Sequence, residues 1–302
     1  MGDILNQHRA PRALIRYAED DQYSKGRADF SATGLLEEPR IVALEATRND
    51  LIKDDPYENP WKFLSNIFHH LMSTHAGNDE IAEERIFTEF EGVTISGAMD
   101  LQIVEIDKDF SKRVRIGDYK FTTLYGIRDT LKWEQQLNIY AWLIEREKPG
   151  LTVDGLEIYA FLRDWRIGRA EEVSTYPQTP GLTIDLPLWD HQKTEDFVRE
   201  KIELHREAQK NLPFCSHEGR WPTGKVWKIE SISETDPIIF RGDETFPRKM
   251  DAAKALASLP QGVQLDAVIT SSFKTYRRCK SYCHFESICD QWQDWKQTND
   301  GR

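Results

Sequence analysis

Between Arg85 and Leu162 the apolar residues change period in an order that admits few architectures. Arg85–Phe90 and Val93–Ser96 flank Glu91-Gly92, a dipeptide suited to a tight hairpin turn. The second segment continues through Gly97-Ala98-Met99-Asp100 into Leu101, Ile103 and Glu105. A polar turn around Lys108–Lys112 then returns the chain as a strand from Val114 to Lys120. A helix is expected from about Asp129 to Glu147, with Leu137, Tyr140, Ala141 and Ile144 as its apolar stripe and Pro149-Gly150 as its end. Leu156, Ile158, Ala160 and Leu162 alternate as one more strand. Three antiparallel strands, a helix and a further strand predict an α/β fold, a mixed central sheet flanked by helices.

Outside that block, Leu64, Ile67, Phe68, Leu71 and Met72 form the stripe of an amphipathic helix over Pro60–His75, with His69 and His70 on its flanks. Further helices are expected at Pro39–Arg48, Asp190–Gln209 and Arg248–Ser258, and strands at Trp227–Glu230 and Leu265–Thr270. The chain is expected to divide into an N-terminal helical arm (1–57), a core (58–212) and a C-terminal cysteine region (213–302) closing on that core.

The chemistry concentrates on Asp118-Tyr119-Lys120. Alternation along a strand sends Asp118 and Lys120 to one face and Tyr119 to the other. Asp100 lies on the preceding strand, where adjacent pairing can bring it within reach of the same cation. Two carboxylates and an ammonium can hold a divalent cation against a phosphodiester; an in-strand salt bridge is the alternative. Gln136 and Tyr140, four residues apart, share one face of the following helix. Gly97 and Gly117 are expected to let a ligand or backbone come close, and Glu84 is either a supporting carboxylate or a surface residue.

The formal net charge is −11, which disfavours a protein that coats nucleic acid but leaves room for one basic groove. Lys112, Arg113 and Arg115 form one basic patch, and Lys274, Arg277, Arg278 and Lys280 another. The longest strongly apolar run, Ile139–Ile144, falls far short of the roughly 20 residues of a membrane span. The first residues lack the features of a secretory signal, and Asn6 stands where a myristoylation motif needs Ser or Thr. A cytoplasmic location follows as the expectation, bacterial or in a host cell if the gene is carried by a phage.

All four cysteines fall in the last third: Cys215 alone, then Cys279, Cys283 and Cys289 together. In a cytoplasmic chain this pattern suggests a four-thiolate metal or cluster site, with buried unliganded thiols as the alternative. His217 and His284 are further donors that zinc accepts.

These elements together resemble the RecB-like branch of the PD-(D/E)XK nuclease superfamily, in particular its iron–sulphur members in phages, AddB-type helicase–nucleases and CRISPR-associated systems. The resemblance rests on His69, Gly97-Ala98-Met99-Asp100, Asp118-Tyr119-Lys120, Gln136-Leu137-Asn138-Ile139-Tyr140, and the four cysteines, in that order. It spans residues 60 to 290 or so and implies a restriction-endonuclease-like core over 58–212. Three residues separate Cys279 from Cys283, where many relatives have two, and Asn66 stands where they carry a small residue. The resemblance implies Mg²⁺ or Mn²⁺ held by His69, Asp100, Asp118 and the Tyr119 carbonyl. It implies Lys120 at the scissile phosphate, positioned by Gln136 and Tyr140. It also implies a 4Fe-4S cluster on Cys215, Cys279, Cys283 and Cys289, with structural Zn²⁺ as the alternative. The expected activity is metal-dependent hydrolysis of DNA, as an exonuclease resecting ends in recombination or repair, with a homo-oligomer or a recombination protein as partner. A non-cleaving, cluster-bearing DNA-binding subunit and a spacer-acquisition nuclease are the alternatives.

Overall fold

A two-residue turn sets the register of the central sheet. Glu91 and Gly92 take φ values of 51° and 72°, both positive as a type I′ hairpin turn requires. The computed structural model describes residues 3–19, 26–48, 50, 52–58, 60–231, 245–259, 261, 264 and 267–299. The chain divides into two units, Met1–Leu212 and Pro213–Arg302.

The first unit opens with β1 (Asp3–Ile4), α1 (Arg12–Glu19), β2 (Phe30–Ser31), α2 (Ala32–Leu35), α3 (Pro39–Arg48), β3 (Lys53–Asp54) and α4 (Pro60–Ser73). It continues through β4 (Glu80–Phe90), β5 (Val93–Ile106), β6 (Lys112–Thr122), α5 (Leu131–Glu147), β7 (Leu151–Leu162), α6 (Ile167–Glu172), β8 (Gly181–Leu186) and α7 (His191–Lys210). The main sheet has the order β2-β5-β6-β7-β8, with β4 along the other edge of β5. β4–β5, β5–β6 and β7–β8 are antiparallel; β6 and β7 are parallel, joined by the crossover helix α5. This is the expected mixed sheet flanked by helices.

One edge of β5 is shared between two strands. β2 pairs it at Ile95 and Ser96, and β6 pairs it only from Leu101 onward. Residues 97–99 therefore pair with β4 on one side and with neither β2 nor β6 on the other, and Asp100 falls at a break between the pairs Glu84↔Met99 and Ala82↔Leu101. Asp100 closes that gap.

The core lies where α5 covers the sheet. Gln136 to Ile144 are all buried, because the helix touches β4, β5, β6 and β7 on one side and α2 and α7 on others. The expected stripe of four residues thus widens to burial all round, as a helix enclosed on every side demands. The opposite correction applies to α4, which buries no residue. Leu64, Ile67 and Leu71 of its expected core stripe are between 41% and 48% exposed. The helix meets the sheet through Phe68, whose ring packs on Tyr119 and Phe161.

The second unit contains β9 (Pro222–Ser231), α8 (Lys249–Ala257), β10 (Ala267–Tyr276), α9 (Arg277–Ser281) and α10 (Asp290–Asn299). β9 and β10 pair antiparallel from Pro222↔Tyr276 to Ser231↔Ala267, and α8 packs against both. Leu265, where a strand was expected to begin, lies outside the described residues. Tyr276, Cys279, Cys289 and Trp292 form a small separate core. Among the described residues no helix is long and apolar enough to cross a membrane.

Candidate active site

The β5–β6 ladder ends at Leu101↔Gly117, so the next residues on the two strands are Asp100 and Asp118. Asp100 Oδ2 accepts the Tyr119 N–H at 2.8 Å, a side chain standing where a backbone carbonyl would continue the ladder. Asp118 is 1% exposed. Its Oδ1 accepts a hydrogen bond from Gln136 Nε2 at 2.9 Å, and the same amide donates to the Tyr140 hydroxyl at 2.9 Å. Lys120 Nζ lies 2.6 Å from Asp118 Oδ2 and donates to Gln136 Oε1 at 3.4 Å. Despite that close ammonium, the buried Oδ2 has no hydrogen-bond partner of acceptable geometry. Burial pushes the Asp118 carboxyl up to about 6, with Lys120 opposing the rise and Asp100 adding to it.

Tyr119 turns to the other face, against Phe68, Tyr159 and the His69 ring. There α4 delivers His69, whose Nδ1 is 3.4 Å from Asp100 Oδ1 and 3.6 Å from Glu83 Oε1. Burial disfavours charge on this imidazole, but the carboxylates of Asp100 and Glu83 beside it outweigh burial and raise its pKa to about 10. One donor atom from each of His69, Glu83 and Asp100 lies within 4.8 Å of the others. Oxygen and imidazole donors suit a hard or borderline divalent cation. The donor set and the unpartnered Asp118 oxygen therefore fit a metal of that class. His70 lines the same cleft, of about 800 Å³, as do Lys120, Gln136 and Tyr140.

Glu83 was not among the residues expected from the sequence. It sits between the pairs Ala82↔Leu101 and Glu84↔Met99, hence opposite Asp100, with a left-handed φ of 53°. Counting back along β4 from the Glu91–Gly92 turn reaches the same pairing, so the signal was present. Glu84, the carboxylate considered instead, points elsewhere: it pairs with Lys148 and accepts from Gln102 Nε2. The two glycines also act differently from expectation. A Cβ on Gly97 would meet Leu143 and Tyr140 at 2.7 and 2.8 Å, and one on Gly117 would meet Tyr159 at 2.6 Å. Their space is filled by side chains from α5 and β7, and Gly97 is what lets Tyr140 seat beside β5.

In the second unit, Cys279 and Cys289 are buried and Cys215 and Cys283 half-buried, and no disulfide joins them. Gln291 binds both the N–H and the carbonyl of Cys215, at 2.9 and 3.0 Å, tying that residue to the start of α10. Burial pushes the Cys279 thiol up to about 11 and raises Cys283 as well; the neighbouring cysteines add to both rises, and Arg220 and Arg278 oppose that of Cys279. His217 contacts the Tyr276 hydroxyl and the Phe273 ring, and His284 is exposed.

A family model described as the PD-(D/E)XK nuclease superfamily matches residues 41–290. The chain belongs to that superfamily. Membership implies nuclease activity, and PD-(D/E)XK nucleases use divalent metals, for which His69, Glu83 and Asp100 make a possible site. Among solved structures, one described as the crystal structure of SSO0001 is similar over 65% of this chain and 83% of its own, at 19% identity and a TM-score of 0.39. No curated protein matches the sequence.

Proposed function

We propose that this PD-(D/E)XK protein is a divalent-metal-dependent deoxyribonuclease of the RecB-like iron–sulphur type, working as an exonuclease at DNA ends. The observation that carries the nuclease chemistry is the convergence of His69, Glu83 and Asp100 beside the buried Asp118–Lys120 pair. His69, Asp100 and Asp118, with the Tyr119 carbonyl, would hold Mg²⁺ or Mn²⁺, and Glu83 joins them. Bound there, such a cation would supply Lewis-acid polarisation of a phosphoryl oxygen and a water acidic enough to attack near neutral pH. Lys120 places its ammonium where charge develops on the scissile phosphate. Gln136 holds both partners of that ion pair, accepting from Lys120 and donating to Asp118, while Tyr140 braces Gln136. The intact Asp100, Asp118 and Lys120 favour this reading over a non-cleaving DNA-binding subunit. Exonuclease action rests on the resemblance to the RecB-like branch.

Cys215, Cys279, Cys283 and Cys289 would hold a 4Fe-4S cluster that staples the two ends of the second unit. Four thiolates on one zinc ion, at about 2.3 Å each, lie about 3.8 Å apart. The choice of a 4Fe-4S cluster over zinc rests on the resemblance to the iron–sulphur branch. Binding energy at such a site becomes folding energy.

The test is digestion of end-labelled linear and circular DNA by purified protein with Mg²⁺ or Mn²⁺. Linear DNA is expected to be degraded and covalently closed circles spared. Lys120→Ala is expected to bind DNA and to cleave about 10²–10³ times more slowly. Equal cleavage by that variant would sink the mechanism, and equal attack on circles the exonuclease reading. Cys283→Ala is expected to be colourless and destabilised; a stable coloured variant would exclude ligation.

A further inference from the structure

Trp221 is a conformational outlier in the second unit. Its φ of 56° and ψ of 70° lie in the left-handed region, which bulky residues rarely adopt. Two hydrogen bonds hold it there: its N–H donates to the Glu218 carbonyl at 2.9 Å, and its carbonyl accepts the Arg277 N–H at 3.0 Å. The ring that this backbone carries lies outside. Trp221 is 44% exposed and Tyr282 53% exposed, whereas Tyr276 and Trp292 of the same unit are 8% and 4%. The two exposed rings lie 5.4 Å apart. Arg278 sits 5.3 Å from the Trp221 ring, Arg277 sits 5.3 Å from the Tyr282 ring, and Arg277 Nη2 donates to the Tyr282 hydroxyl at 2.9 Å.

Charge separates the sequence of the second unit from that of the first. Residues 213–302 carry 13 basic and 12 acidic residues, whereas residues 1–212 carry 27 and 39. Exposed Lys274 and Lys280 flank the two arginines in sequence. Exposed rings beside guanidinium groups offer faces for unpaired bases and cations for the phosphates between them. Base pairing hides those faces in a duplex, which would present only its backbone here.

We propose that Trp221 and Tyr282, with Arg277 and Arg278, form a stacking site for single-stranded DNA on the second unit. The site does not depend on the cleavage chemistry of the first unit, so its test is run on the full chain in EDTA. Anisotropy of a short fluorescein-labelled oligo(dT) is compared with that of a duplex of equal length. Trp221→Gly and Tyr282→Ala are each expected to weaken oligo(dT) binding about 5- to 100-fold, and to leave duplex binding within about twofold. Glycine adopts a positive φ freely, so Trp221→Gly retains the local backbone, and its melting temperature should not fall below that of the parent. Trp221→Phe should keep most of the affinity. Arg277→Gln should reduce the slope of log affinity against log salt by about one. Unchanged oligo(dT) binding by the Trp221→Gly, Tyr282→Ala double variant would overturn the assignment, as would an equal loss on duplex. Tighter binding of oligo(U) than oligo(dT) would reassign the surface to RNA, and no binding of either by the parent would overturn the assignment.

Discussion

Replacing Lys120 by methionine in the metal-free protein should give a stability loss that switches on with pH. The substitution keeps the stem of the side chain and removes the ammonium 2.6 Å from the Asp118 carboxylate. In the parent, burial raises the Asp118 pKa from 3.8 to about 6. Between those values the folded protein holds a proton that the unfolded chain has lost, so stability falls as pH rises. The fall amounts to about 3 kcal/mol and ends near pH 6, where the folded carboxyl ionises and the two states titrate alike. Without Lys120 the folded pKa moves higher and the fall continues past 6, at about 1.4 kcal/mol per pH unit. Parent and variant should therefore match at about pH 5 and diverge above pH 6, by on the order of 1 kcal/mol at pH 7 and a few kcal/mol at pH 8. The difference saturates at the ~3–5 kcal/mol of a broken buried pair. Hydrogen exchange of the α5 amides in EDTA measures the opening free energy of the first unit by itself. A pH-independent loss, or a loss above about 3 kcal/mol at pH 6, would refute the reasoning, because protonation would then not be relieving the buried charge.

Glu83→Gln should weaken Mn²⁺ binding by at least about 10–100-fold in titration calorimetry, while Glu84→Gln, whose carboxylate faces Lys148, should leave it unchanged. Because His69 is raised to about 10 in the metal-free site, metal binding at pH 7.5 should release about one proton, and affinity should rise about tenfold per pH unit between 7 and 9; calorimetry in two buffers of different ionisation enthalpy reads the count. Gly97→Ala should destabilise the first unit by about 1–3 kcal/mol, since its Cβ would fall 2.7–2.9 Å from Leu143 and Tyr140; thermal melting checks this.

The sequence disclosed the order of elements because each carries its own period. The Glu91–Gly92 turn, the alternation of Leu156 to Leu162 and the helix at Pro39–Arg48 appear as local signals and are found in place. Asp100, Asp118, Lys120, Gln136 and Tyr140 converge because strand and helix parity already grouped them. What escaped depends on departures from regularity. Hairpin counting places Glu83 opposite Asp100, but its approach to His69 comes with a left-handed φ in mid-strand, which no apolar pattern announces. The exposure of Leu64, Ile67 and Leu71 depends on which helix faces meet a neighbour, and composition is silent on that. Gly97 and Gly117 were legible as close approaches but not as to what approaches, since Tyr140 and Tyr159 arrive from later in the chain.

The charges explain how such a site can fold without its metal. Glu83, Asp100 and Asp118 bring three carboxylates to one cleft, where Lys120 and a protonated His69 supply two cations. One negative charge is left over, and burial draws a proton toward Asp118. A divalent cation that displaces the His69 proton leaves three negative charges facing the metal's two positive charges and the single charge of Lys120. That arrangement is neutral, so the bound form needs no extra proton on Asp118. In the proposed reading the imidazolium would give way to the cation, and its two carboxylate contacts, 3.4 and 3.6 Å away, would be the ones the cation takes over.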